Sequence, residues 1–570
     1  MCASNKHDFR LLLPAVCMWA VTAIMVKSPY SADLERFLIL VVAAIVGLAL
    51  VCAVLLLRVA GRARLRVWLM PYLCVCIAAS MCALINSTVY VRMVANDAVN
   101  PTSVRAAQTV SAHVHITSPP IHSSLRGFSC SVQARLQAVR LRGVWQRSSV
   151  RVSLLARNSR DCSVQTSAQY FVHGTVGASN IGRTPWNLRV QENCSSCVRL
   201  LRPASALHAA VSHVQQRFLS QTSRLGGTAS LLVPGVTLGV MGHDAFLSSV
   251  ASNDYESNNH SQKKQADKLK DSFRTAGIMH VLAVSGGHFA LAASTVTWLC
   301  TRLCINRRIR ALLLIAANAG LYLVMYPSDS VLRASIMMLF SSLYVFLGRK
   351  AYASCALCWT IILCVLFNPE VAASIGFALS CAAVTGILTW SRWGEKLMTH
   401  LLPSWLAAPM ALTVSAQLAT LPLSYILSDE VPMYAIVSNL LVSVPMDIAT
   451  VFGLISLALS WLWPQAGYVC AWLSGCATAV MVRVSDIIIR LPYASVSVPV
   501  SVMVTIYIVG SVAIGSSIWG WRWWQNRYRF EREYRVPFKQ RMRERWQEFI
   551  RISVLTQHNN THSCPRWKGH

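Results

Sequence analysis

The sequence predicts a polytopic α-helical membrane protein, with about a dozen transmembrane helices and one small external β-barrel. Three observations lead there. Hydrophobic residues make up 54% of the 570-residue chain and charged residues 13%, against about 25% charge in a soluble domain. Apolar runs such as 37–57 and 500–519 are long enough to cross a hydrocarbon core of about 30 Å. Among these runs lies one long polar region, roughly 100–200, where apolar residues alternate instead.

Positive charge sets the order of the spans, because Lys and Arg gather in cytoplasmic loops. Lys6 and Arg10 hold the N-terminus inside, and 11–26 leads out. This first segment is read as a retained span rather than a cleaved signal peptide, since the membrane pattern continues after it. Segment 37–57 returns to Arg58, Arg62, Arg64 and Arg66, and 67–86 leads out again. Segment 277–300 runs inward to Arg307, Arg308 and Arg310; 311–326 and 330–347 go out and back to Arg349 and Lys350. Segment 351–367 ends outside at Asn368-Pro369-Glu370, and 371–390 returns to Arg392 and Lys396. Segment 404–427 exits toward Asp429 and Glu430, 432–461 returns, 465–489 exits, and 500–519 re-enters before a basic tail. Both termini then lie in the cytoplasm. The expected domains are N-terminal spans (1–90), an external domain (91–200), an amphipathic segment and polar loop (201–270), a second block of spans (271–520) and the tail (521–570).

In the polar region, Val132–Val139, Val150–Leu154 and Tyr170–Val176 alternate as half-buried strands. Gly143, Gly174 and Gly177 supply turn signals. Several short strands over this length predict a small barrel or sandwich. An OB-like barrel is the specific expectation, although spacing alone does not select it. Of the 19 cysteines most sit in apolar runs, where a thiol acts as a small hydrophobe. Cys130, Cys162, Cys194 and Cys197 do not, and Cys130 with Cys162 is the expected disulfide of an external domain. Cys194-x-x-Cys197 alone is too weak a signal for zinc or redox chemistry. Segment 203–226 is expected along the outer membrane surface, and 251–270 as a flexible polar loop.

The chain carries 52 Lys and Arg against 22 Asp and Glu, a formal charge of +30. Cytoplasmic loops account for part of it, but not for Arg126, Arg135, Arg140, Arg142, Arg147, Arg151, Arg157 and Arg160, near which Asp161 is the one acid. A polyanion is the simplest partner for such a surface. A polynucleotide stands ahead of anionic lipid heads, with Arg135, Arg140, Arg142, Arg147 and Arg151 as its contacts.

Polar groups at membrane depth are costly and ask for a reason. The densest set is His280, Ser285, Gly286, Gly287 and His288. Glycines there weaken the helix, and non-helical backbone is tolerated where it lines a wet cavity or is received by protein. This run is read as lining a path; packed histidines beside close-packing glycines are the plainer alternative. Ser330 and Arg333 follow Asp329, and the arginine either snorkels to the interface or faces inward to bind phosphate. Gln417 and Asn439 are amides within apolar spans, while Gly376 and Ser380 suit helix packing.

The string Phe273-Arg274-Thr275-Ala276-Gly277-Ile278-Met279-His280-Val281-Leu282-Ala283-Val284-Ser285-Gly286-Gly287-His288 resembles the signature of the ComEC competence family of DNA-uptake channels. Leu231–Gly239, Ser330–Ala334, Gly376–Ser380, Ala416–Leu423 and Ser438–Leu441 resemble further family stretches, in the family's order. The likeness is strong over 228–460 and architectural over 37–200. It implies a channel that passes single-stranded DNA across the cytoplasmic membrane in natural transformation, and an N-terminal OB-like domain. Trp145, Tyr170, Phe171 and Trp186 become candidate stacking rings. The partners implied are single-stranded DNA, membrane lipids, a separate cytoplasmic ATPase or helicase and external DNA-receptor proteins, with a homo-oligomer left open. Gly287 departs from the signature's usual Leu. The nuclease domain that many members carry is not expected in these residues: His113-Val-His115 begins its metal motif, but Thr117 takes the Asp position.

No catalytic residue, metal or cofactor is therefore expected, and the chain is not read as an enzyme. There is no P-loop, and a negative-inside potential opposes an entering anion by about 2.3 kcal/mol per charge per 100 mV. A separate motor is expected, docking near Arg527 to Arg545 unless that tail simply binds anionic lipid. The competing classes are a transporter of a small anion or lipid and an intramembrane serine protease built on Ser285. Ala283 departs from the G-x-S-G pattern of the latter.

Overall fold

The computed structural model describes residues 11–27, 63–99, 108–123, 125, 127–141, 143–178, 186–191, 197–245, 255–282, 284–349, 352–400, 402–428, 430–497 and 516. Span 37–57, span 500–519 apart from residue 516, the tail 521–570, Arg142 and Cys194 lie outside them.

Alternation in the polar region builds a closed barrel. Strands β1 (Gln108–Ile116), β3 (Cys130–Leu141), β5 (Arg151–Ala156), β6 (Gln169–Ala178) and β7 (Trp186–Val190) follow the order β1-β3-β5-β7-β6, and β6 pairs back onto β1. All these neighbours are antiparallel except β5 and β7. This is an OB-like barrel, and closure leaves it no open edge among these strands. The short strands β2 (Ile121–His122), β4 (Val144–Arg147) and β8 (Val198–Arg202) extend it. Inward residues such as Val114, Val132, Leu136, Leu154, Val172 and Leu188 form its core. Trp186 and Tyr170 are buried there, which removes both from the candidate stacking rings. Cys130 and Cys162 are disulfide-bonded, joining the start of β3 to the 3-10 turn Ser159–Cys162.

Thirteen helices are described: α1 (Leu12–Lys27), α2 (Ala63–Ala95), α3 (Ala206–Thr222), α4 (Gly227–Leu238), α5 (Tyr255–Thr275), α6 (Gly286–Arg302), α7 (Arg307–Val324), α8 (Asp329–Leu347), α9 (Ala353–Phe367), α10 (Ile375–Met398), α11 (Ser404–Ser428), α12 (Ala435–Leu459) and α13 (Pro464–Ile488). A two-residue pairing of β9 (Val431–Pro432) with β10 (Ser495–Val496) ties the start of α12 to the end of α13.

Among the described residues six helical stretches are long and apolar enough to cross a membrane: 74–95, 329–347, 375–398, 406–425, 435–459 and 464–488. Helical stretches 12–26, 227–238 and 353–367 are apolar but shorter. The expected dozen is not confirmed among the described residues, and two of the expected spans, residue 516 apart, lie outside them. The segment expected as 277–300 starts as an α-helix at Gly286, and α7 opens on Arg307, Arg308 and Arg310.

Two segments differ from expectation more sharply. Residues 251–270, read as a flexible loop, are mostly helix α5, because Ala266, Leu269 and Phe273 recur at helical spacing and bury one face. Residues 203–226 do not simply lie along a membrane surface. Helix α3 buries Phe218 and Leu219 in a cluster with Val233, Leu238 and Tyr326, and Gln215 donates to the Val324 carbonyl at 2.7 Å.

Where α5 ends, Gly277 takes φ +74°, and a Cβ there would lie 2.6 Å from the Ala435 Cβ. Gly277→Ala combines a left-handed backbone with a clash, each costing on the order of 1–2 kcal/mol. Its thermal midpoint should fall clearly below that of the parent protein. Gly320→Ala, at a mid-helix glycine where an added methyl would meet nothing within 4 Å, should leave the midpoint unchanged or raise it.

Candidate functional site

The signature string folds as an interrupted helix. After α5 come a 3-10 turn, Met279–Leu282, and an extended residue, Ser285, which caps α6. Ser285 Oγ accepts the Gly287 N–H at 3.2 Å, and His288 Nδ1 accepts the Ser285 N–H at 3.4 Å. The other ring nitrogen, His288 Nε2, therefore carries the proton and donates to the Val236 carbonyl at 2.6 Å. That carbonyl is one of the last four of α4, which find no donor within their own helix. His288 is 1% exposed with both nitrogens engaged, so it frames the break and does not line an open wall. His280, in the 3-10 turn, is exposed. Ser285 and Gly286 are half-buried and Gly287 is exposed.

Against this break stands Arg333, 5% exposed. Its Nε donates to Ser380 Oγ at 2.6 Å and its Nη1 meets the Met337 sulfur at 3.3 Å. Nη2 is 3.5 Å from where a Gly286 side chain would begin. The arginine does not snorkel; it turns inward. Asp329, one turn earlier, accepts from Ser374 Oγ, and among the described residues Arg333 has no ion pair. Ser380, read in sequence as a packing residue, is a hydrogen-bond partner of the guanidinium. Ser330 is half-buried on the first turn of α8. Gln417 on α11 and Asn439 on α12 are half-buried, the Asn439 carbonyl oxygen has no partner, and neither amide bonds to Arg333.

The outer face of the barrel carries a second cluster. His113 on β1 lies opposite Phe171 on β6 and Ala138 on β3, and Phe171 lies opposite Arg199 on β8. Trp145 on β4, 43% exposed, covers them: its ring centroid is 4.5 Å from that of His113 and 6.5 Å from that of Phe171. Arg135, Arg140, Arg147 and Arg199 are exposed on these strands. Arg151 is drawn away instead, bonded to Glu370 at 3.1 Å. Arg199 was not singled out in the sequence and His113 only as the start of an incomplete metal motif; both meet Phe171 by cross-strand pairing, which local periodicity does not reveal.

Residues 261–524 match the family model described as Competence protein. The resemblance read from the signature is thereby upheld over this stretch. The Competence domain so defined starts within α5 and includes the break and Arg333, while the barrel lies before it. A similar protein is ComE operon protein 3 of Bacillus subtilis (strain 168), 28% identical over 160 residues, which span 28% of this chain and 20% of that protein. No solved structure matches the chain. The six apolar helices and the Competence domain together make this a membrane protein.

Among the described residues the barrel is joined to the helices at three places. Glu370, in the 3-10 turn Pro369–Ala373 before α10, takes Arg151 and the Tyr90 hydroxyl. Asp97, just past α2, accepts the Ser149 N–H at 2.8 Å. On the third side the His122 N–H donates to the Asp244 carbonyl at 2.8 Å. The Asp244 carboxylate bonds His243 at 2.9 Å and Lys270, on α5 within the Competence domain, at 3.4 Å. Because Glu370 and Ser374 bracket one 3-10 turn, the Arg333 cluster lies on the barrel side of the helices.

This third joint is acid-sensitive. Burial lowers the His122 pKa, though the Ser129 carbonyl and Asp244 oppose it. Burial would raise the Asp244 pKa, but His243 and Lys270 carry it below the ordinary value. For both groups the unfolded chain binds more protons, so stability falls as pH falls. The loss starts below about pH 6.5 through His122 and continues in stronger acid through Asp244. The unfolding midpoint should drop between about pH 7.5 and about pH 5.5, and His122→Gln should flatten that slope. A midpoint independent of pH in the parent protein would refute this.

Proposed function

We propose that the chain passes single-stranded DNA across the cytoplasmic membrane during natural transformation, with the barrel receiving the strand. The observation that carries this is the interrupted helix of the Competence domain, which sets an exposed His280 and a buried Arg333, with no ion pair among the described residues, beneath a basic barrel. A strand of phosphodiesters needs positive charge and wet backbone where lipid offers neither. A carrier of one small anion has no use for a cluster of rings on an outer face, which favours a polynucleotide. In this reading the barrel is external, both termini are cytoplasmic, and receptor proteins deliver the strand from outside. A separate cytoplasmic ATPase pulls it against the membrane potential. The chain itself conducts the strand and catalyses no reaction.

Bases would stack on Trp145, Phe171 and His113 while Arg135, Arg140, Arg147 and Arg199 follow the backbone. For the full chain in nanodiscs, Trp145→Ala should weaken binding of an oligothymidylate by about 1–3 kcal/mol. Arg147→Gln should reduce the slope of log affinity against log salt by about 1. Equal binding by both variants and the parent would remove this face from the path. Deleting the gene should abolish delivery of labelled DNA to the cytoplasm while surface binding persists; undiminished delivery would refute the channel.

A further inference from the structure

Three helices begin around the Arg333 guanidinium. Helix α6 starts at Gly286 behind its Ser285 cap, α8 at Asp329 behind Ser328, and α10 at Ile375 behind Ser374. Their ends are in contact: Arg333 Nη2 points to Gly286, Ser374 Oγ donates to Asp329, and a Gly376 side chain would begin 3.3 Å from the Asp329 carboxylate. Helix N-termini concentrate orphan N–H donors and positive potential. A buried guanidinium beside them adds charge of the same sign, which is costly without a counter-ion. Asp329 does not supply it, since its carboxylate is turned to Ser374.

We infer that the space between Gly286 and Arg333 is a binding site for one phosphodiester anion. Arg333 Nε and Nη1 are occupied by Ser380 and Met337, which fixes the plane of the guanidinium and leaves Nη2 directed at the α6 N-terminus. The Gly287 and His288 N–H groups are taken by Ser285. Among the described residues the Gly286 N–H has no such partner, and it remains as a donor on the residue that Nη2 approaches. Two donors, one of them charged, suit the two unesterified oxygens of a phosphodiester. Glycine at 286 keeps the place open: a Cβ there meets nothing within 4 Å except Nη2. The ligand chemistry is shared by a DNA backbone and a phospholipid headgroup, and the site rests on the channel reading only for which of these supplies it.

The test uses the full chain in neutral phosphatidylcholine nanodiscs, with the thermal midpoint titrated against dimethyl phosphate, a diester without base or sugar. The midpoint should rise and saturate with dimethyl phosphate, as ligand linkage requires, and stay flat with uncharged trimethyl phosphate. Arg333→Met and, separately, Gly286→Ala should each weaken the response at least about tenfold. Gly286→Ala serves where the loss of Arg333 disturbs folding, because its methyl meets no neighbour but the guanidinium. No response in the parent protein, an equal response to trimethyl phosphate, or a full response in both variants would overturn the site. Competition by oligothymidylate assigns the phosphate to DNA; loss of the response in phosphatidylglycerol nanodiscs assigns it to lipid. If cells lacking the gene import DNA normally while dimethyl phosphate still binds through Arg333, the site stands and the channel reading falls.

Discussion

One hydrogen-bonded imidazole holds the centre of this molecule together. His288 accepts from the Ser285 backbone and donates to the Val236 carbonyl, so one neutral side chain satisfies the start of one helix and the end of another. Without it a buried break in the backbone would leave polar groups unpaired in apolar surroundings, at a cost of about 1–3 kcal/mol for each. With it, helix α6 can begin inside the helical mass. Everything else about the site follows from that start: the exposed His280, Gly286 with the guanidinium as its near neighbour, and that guanidinium aimed at a helix N-terminus.

The barrel solves a different problem with the same economy of means. Its inward Val and Leu residues build a core of its own, and closure of β6 onto β1 satisfies the strand edges. That independence frees the outer face for rings and arginines. Its joints to the helices are polar, running through Glu370, Asp97 and Asp244. Polar joints are responsive to pH and salt in a way that an apolar interface is not.

Much of this was legible in the sequence, and the rest was hidden for identifiable reasons. Alternation marked β3, β5 and β6 because each strand has one dry face, and Cys130 and Cys162 stood out as thiols away from apolar runs. The Ser-Gly-Gly run announced a weak point in the helix, but not that the helix would start there with Ser285 as its cap. Arg333 read equally as a snorkelling or an inward residue, since its direction is set by Ser380 on another helix as well as by Met337 one turn along its own. The sequence places His288 among lining groups because periodicity says nothing of the Val236 carbonyl. Composition misled at 251–270: a polar segment was read as loop, although Ala266, Leu269 and Phe273 carried a helical apolar stripe. Arg151 looked like its basic neighbours until Glu370 was found beside it.

The central claim is that the interrupted helix opens onto water. Reactivity of a thiol placed at His280, in a protein whose other accessible cysteines are replaced by serine, measures this directly. A charged, membrane-impermeant methanethiosulfonate should modify His280→Cys, and single-stranded DNA should slow the reaction. A thiol at His280 that the charged reagent never reaches, while a small uncharged thiol reagent does, would mean a dry interior and contradict the account.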